Sequence, residues 1–156
     1  MLSVLGFSTA TFGTDAKTRD AFDAVAVTPN GDFVVVECTL GLLSADSKLS
    51  KLAARAASLR ETLAASNMKH LRVLPVIVRA MTAEQVKAHK AQAEEIGILV
   101  QTKENLDEVF NELLRYPDAD RLFERAMRSM EDKCIARLPQ KLKQASSPLL
   151  TGASSY

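Results

Sequence analysis

The chain has 156 residues, 47% of them hydrophobic and 25% charged, with a formal net charge of +1. That is enough for about one domain with a full core, and it excludes a bulk electrostatic case for nucleic acid, so any basic surface must be local. No apolar run nears the ~18 residues of a membrane span and the start lacks the basic end of a signal peptide, so a cytoplasmic location away from membranes is expected. Cys38 and Cys134 cannot build a disulfide framework, and with two histidines they form no zinc spacing. With no tryptophan and few aromatics, base-stacking platforms are not expected.

Met1 to Phe7 (MLSVLGF) is a short apolar run that reads as a strand. Ser8 to Asp20 is rich in Thr, Gly and Asp and reads as a loop; its Asp15, Lys17, Arg19 and Asp20 are the mixed charges of a solvated segment. Phe22 to Thr39 then reads FDAVAVT, PNG, DFVVVECT, two β-branched runs around a turn signal, which is the pattern of a β-hairpin. A two-residue Asn30-Gly31 loop would put Pro29 in the ladder, where its missing N–H is a defect. A three-residue loop suits these residues better, with Pro29 at i+1 of a type I turn and Gly31 in the left-handed position of a G1 bulge. That register pairs Thr28 with Asp32, Val25 with Val35 and Asp23 with Glu37. Both faces of the hairpin are apolar: Val25, Val27, Phe33 and Val35 on one, Ala24, Ala26, Val34 and Val36 on the other. Such a hairpin should be covered on both sides within an α/β sheet.

Gly41 to Ser44 reads as a turn, with Ser44 or Asp46 capping a helix that runs to about Ala65. Leu49, Leu52, Ala53, Ala56, Leu59 and Leu63 give that helix its 3.6-residue period, and Lys48, Lys51 and Arg55 form a basic stripe beside the apolar face. Leu71 to Arg79 (LRVLPVIVR) is a strand by composition, with a bulge or late start expected at Pro75. Thr82 with Gln85 is a capping box opening a helix to about Ile96, which Gly97 ends. Ile98 to Gln101 is a short buried strand. Thr102 caps a helix with Leu106, Val109, Phe110, Leu113 and Leu114 in phase, and Pro117 breaks it. Asp118 caps a last helix whose pattern fades after Cys134. The expected division is an α/β core over 1–116, a packed C-terminal helix over 117–134, and a flexible tail over 135–156.

Directly opposed residues of a hairpin share a face, with Cβ atoms about 4.5–5.5 Å apart. Asp23, Glu37 and Thr39 therefore share one face and Cys38 points to the other, where an inert buried thiol is expected. Two carboxylates side by side at the end of a buried hairpin repel each other and lose solvation. A divalent cation such as Mg²⁺, or Mn²⁺, relieves both, since it takes one or two carboxylates plus water or phosphate. The plainer reading is two solvated acids at a frayed strand end.

The order strand, hairpin, long helix, strand, helix, strand, helix, with an acid at the start of the second strand and Glu37-Cys38-Thr39 at the end of the third, resembles the PD-(D/E)xK nuclease superfamily. The resemblance spans roughly Met1 to Leu114. It implies a restriction-endonuclease-like fold, a mixed central sheet flanked by helices, with Asp23 and Glu37 as Mg²⁺ ligands. The chain departs from the motif in three ways: Thr39 stands where the family has its lysine, no proline precedes Asp23, and the family's N-terminal helix is not found before β-strand residues begin. The last point suggests a larger parent protein with that helix upstream. The function implied is Mg²⁺-dependent hydrolysis of phosphodiester bonds in nucleic acid, DNA above RNA. Lys51, or Lys48, from the following helix stands in for the missing lysine, and Lys48 and Arg55 meet the phosphates. The alternative is a nuclease-fold domain without activity that serves nucleic-acid binding or assembly, with other domains of a parent protein or a homo-oligomer as partners. A Rossmann-like nucleotide binder is less favoured, because no glycine-rich strand-to-helix turn is present, and GLLSADSK lacks the glycines of a P-loop.

Overall fold

The computed structural model describes residues 2–12, 22–39, 45–113 and 117–145. Five strands lie in one sheet in sequence order: β1 (Ser8–Thr11), β2 (Ala24–Val27), β3 (Phe33–Thr39), β4 (Val73–Arg79) and β5 (Leu99–Gln101). The first three form an antiparallel meander, and β4 and β5 run parallel to β3. Parallel neighbours need crossovers. These are helix α1 (Ala45–Ala65) between β3 and β4, and α2 (Ala83–Glu95) between β4 and β5. Helices α3 (Lys103–Leu113) and α4 (Ala119–Ala145) follow.

The hairpin takes the three-residue loop. Val25 pairs with Val35, Gly31 N–H donates to Thr28 C=O at 2.9 Å, and Thr28 N–H donates to Asp32 C=O at 2.9 Å. Gly31 sits at φ +90°, a conformation side chains rarely adopt. Each sheet face has its own core. Val35, Val73, Ile77 and Val100 pack with Leu49, Leu52, Ala56 and Leu63 of α1 and Val86 and Ala93 of α2. Ala26, Val34, Val36, Leu74 and Val76 pack on the opposite face with Leu5, Phe7 and Ala119, Phe123 and Met130 of α4. Apolar residues on both faces of β2 and β3 thus find helices on both sides.

Three expectations are corrected. The MLSVLGF run is not a strand: Leu2–Leu5 forms a short 3₁₀ helix, and Gly6 at φ +91° turns the chain so that Leu5 and Phe7 both enter the core. The first strand lies one step later, at Ser8–Thr11 within the expected loop, and all four of its residues are exposed, so it carries no alternation to read. Pro75 marks neither a bulge nor a start but sits buried inside β4, opposite Val35. The Phe33 N–H to Arg72 C=O bond turns the even-numbered backbone groups toward β3. Pro75 therefore faces the β5 side, where pairing begins only at Val76 with Leu99, and no ladder bond is lost. Finally, α4 continues past Cys134 to Ala145.

The caps follow the sequence. Thr82 and Gln85 form the capping box of α2, Gly97 at φ +78° follows its end, Thr102 caps α3 with Asn105, and Asp118 accepts from Arg121 N–H at 2.9 Å at the start of α4. The turn Gly41–Ser44, the loop charges at 15–20, Leu114 and the tail from 146 lie outside the described residues, as does the side chain of Asp46.

One ionic cluster fastens the hairpin turn to the rest. Asp32, only 6% exposed, accepts from Arg72 N–H at 2.8 Å, Nε at 3.2 Å and Nη2 at 2.5 Å. Arg72 also pairs with Glu124 of α4 and lies over the Phe123 ring, 4.9 Å from its centre. Burial pushes the Asp32 carboxyl up, but the hydrogen bonds and charge of Arg72 outweigh it and hold the group below the usual carboxylate range. A depressed carboxyl contributes stability above its unfolded-state pKa of about 4, and that contribution is lost as pH falls through the folded-state value. Asp32→Asn should therefore lower unfolding stability by about 2 kcal/mol at neutral pH, the scale of hydrogen bonds to a charged group. The gap from wild type should close below about pH 4. Denaturant titrations at pH 7 and pH 3 check this; equal stabilities at pH 7 would remove Asp32 from the account.

Candidate functional site

The turn register carries to the far end of the hairpin. The β2–β3 ladder ends with Ala24 opposite Val36; Asp23 immediately precedes Ala24 and Glu37 immediately follows Val36, close enough for the Asp23 charge to act on Glu37. Phe12 N–H donates to Asp23 C=O at 2.9 Å, holding the Asp23 backbone beside β1. Cys38 N–H faces β2 where the ladder has stopped, and it donates to Asp23 Oδ2 at 2.6 Å. The carboxylate completes the strand edge with a charge-assisted bond, satisfying a backbone donor that pairing would otherwise leave open.

Glu37 stands on the face covered by α1, with its side chain 15% exposed, and takes a hydrogen-bonded ion pair from Arg55 Nη1 to Oε1. Burial raises the Glu37 carboxyl above its usual range, and the charge of Asp23 raises it further; Arg55 and Lys48 pull it down without cancelling the rise. The site thus holds two like charges at the end of a hairpin, with cations supplied from one helix. Among the described residues no group of three or more His, Cys, Asp or Glu side chains gathers as a metal cage. The donor set is two carboxylates, and it fits a hard cation such as Mg²⁺, which keeps waters and takes one or two carboxylates. The mutual repulsion of Asp23 and Glu37 is the property a cation would relieve.

Of the residues singled out from sequence, Asp23, Glu37, Lys48 and Arg55 converge electrostatically. Lys51, exposed like Lys48, is not among the leading influences on the Glu37 carboxyl, whereas Lys48 is. At ~100° per residue, Lys51 lies about 60° further out than Lys48, away from buried Leu49, Leu52 and Ala56, while Arg55 comes back to within about 20° of Lys48. Thr39 does share the face of Glu37 and stands opposite Arg79 in the parallel β3–β4 ladder. Arg79, 1% exposed, went unnoticed in the sequence, although a charge two residues past Ile77 on a core-facing strand was its signal. Burial lowers the Arg79 pKa.

Cys38 corrects another expectation. It is exposed, not buried, at the end of β3 beyond Val36, which is 6% exposed.

No protein-family model matches the chain, and no curated protein matches its sequence. Among solved structures, the small subunit (R.BspD6I2) of the heterodimeric restriction endonuclease R.BspD6I is similar, with a TM-score of 0.59 and 10% identity, over 83% of this chain and 74% of that one. The fold is restriction-endonuclease-like. At that identity the likeness speaks for the fold, and the chemistry must be argued from this chain's own side chains. Glu37 lies in β3, the middle strand of the five, and Asp23 immediately precedes β2. Among the described residues, no helix is long and apolar enough to cross a membrane.

The thiol of Cys38 reports on these acids. Burial raises its pKa, and Asp23 and Glu37 raise it further. In a Cys134→Ser background, labelling of native Cys38 by a thiol reagent should proceed, with a pH midpoint above that of the unfolded chain. Asp23→Asn should move the midpoint down. An unchanged midpoint would mean that the Asp23 charge does not reach the strand end.

Proposed function

We propose that this chain is a nuclease domain that hydrolyses phosphodiester bonds in nucleic acid, DNA by preference, with Mg²⁺ or Mn²⁺ held by Asp23 and Glu37. What supports the reading is that Asp23 and Glu37 lie just past the end of the β2–β3 ladder of a restriction-endonuclease-like sheet, with the charges of Asp23, Arg55 and Lys48 all acting on Glu37. In this reading the pair matches the two acids of the PD-(D/E)xK pattern, with Thr39 in the lysine position. A bound Mg²⁺ would supply charge stabilisation and an activated water. Asp23 is oriented for such a role by the Cys38 N–H, and Glu37 by its place on the α1-covered face. Lys48 is the cation from α1 best phased to stand beside Glu37 in place of the missing lysine, with Lys51 the outer alternative. The similar solved structure is a subunit of a two-chain restriction enzyme, which supports nucleic acid as substrate and a partner protein or further domains beside this one.

A specific observation favours a second reading, a nuclease fold retained for binding or assembly: Arg55 already neutralises Glu37, and Thr39 brings no charge.

The two readings part on plasmid nicking with and without Mg²⁺. The nuclease reading expects Mg²⁺-dependent nicking that falls at least ~100-fold in Asp23→Asn and Glu37→Gln, the scale of lost transition-state charge stabilisation. Lys48→Ala should fall further than Lys51→Ala. Wild-type protein that binds DNA and nicks nothing at any metal concentration would establish the binding reading instead.

A further inference from the structure

We infer that Arg55 is shared between Glu37 and a nucleic-acid phosphate, so that metal and nucleic acid bind this domain cooperatively. The inference rests on the reading of Asp23 and Glu37 as cation ligands. Arg55 Nη1 donates to Glu37 Oε1, and the two side chains are 24% and 15% exposed, so solvent and a ligand can reach the pair. The Arg55 backbone is fixed: its neighbours Leu52 and Ala56 are fully buried under the sheet. The guanidinium, in contrast, is partly exposed at the end of a long stem.

Charge decides the direction of the coupling. Without ligands, the carboxylates of Asp23 and Glu37 face Arg55 and Lys48, so the cluster is close to neutral. A divalent cation entering that cluster meets two resident positive charges and two carboxylate oxygens already engaged, Glu37 Oε1 by Arg55 and Asp23 Oδ2 by the Cys38 N–H. A phosphodiester changes both conditions. The guanidinium fork fits a phosphate as well as a carboxylate, and a phosphate drawing Arg55 away leaves Glu37 free for the metal. Because coupling between two ligands is reciprocal, the metal must then strengthen nucleic-acid binding by the same factor. Arg55 is on this account a positioning residue that keeps Glu37 occupied until substrate arrives.

The test is Mn²⁺ affinity, read by electron paramagnetic resonance of the free ion, with and without a short duplex DNA, in wild type, Arg55→Met, Arg55→Gln and Glu37→Gln. Signal that persists in Glu37→Gln counts as ions on the DNA or elsewhere on the protein. Without DNA, both Arg55 variants should bind Mn²⁺ about tenfold more tightly than wild type, within the usual range of coupling. DNA should tighten wild type by a similar factor and leave the Arg55 variants nearly unchanged. Two variants guard against one that misfolds, and circular dichroism identifies it. If Mn²⁺ binding needs Glu37 but the Arg55 variants bind no more tightly than wild type, the shared arginine is wrong while the cation site stands. If no binding depends on Glu37 in any protein, the cation-ligand reading fails and the inference fails with it.

Discussion

Everything at the candidate site depends on the register of one hairpin. Side chains alternate with a period of two, so a slip of one residue between β2 and β3 would send Asp23 and Glu37 to opposite faces of the sheet. The Pro29-Asn30-Gly31 loop prevents it. Gly31 supplies the positive φ of the bulge, Thr28 and Asp32 close the ladder behind it, and Asp32 is tied by Arg72 to the start of β4 and through Glu124 to α4. Asn30 N–H adds a bond to Asp120 of α4 at 3.1 Å.

The two-faced core sets the second constraint. Because β3 is buried by α1 and α2 on one side and by α4 on the other, the Asp23–Glu37 face is committed to α1. The first turns of that helix lie over the strand ends, and Lys48 and Arg55 arrive with them. The chain's net charge of +1 gives no hint of this. The positive charge beside Glu37 is local, carried by Lys48 and Arg55 of one helix.

How much of this is legible in sequence follows from the kind of signal each feature leaves. The hairpin, its turn, the helix caps and the two-sided sheet were legible because alternation, Gly at a bulge and Thr-to-Gln capping have local causes. β1 was not, since an edge strand with four exposed residues shows no alternation. Pro75 misled because its tolerance depends on where β5 starts, a fact about another segment. At the site, the hairpin register that leaves Asp23 and Glu37 next to the last ladder pair could be read from turn chemistry. The Arg55–Glu37 ion pair and the Cys38-to-Asp23 bond could not, because they depend on how α1 packs and where β2 stops.

The most direct measurement is anomalous diffraction from crystals soaked in Mn²⁺ together with a short duplex DNA. The account requires a peak bonded to both the Asp23 and Glu37 carboxylates. Well-ordered carboxylates with no peak between them, at Mn²⁺ concentrations that label other acidic groups on the same molecule, would contradict it.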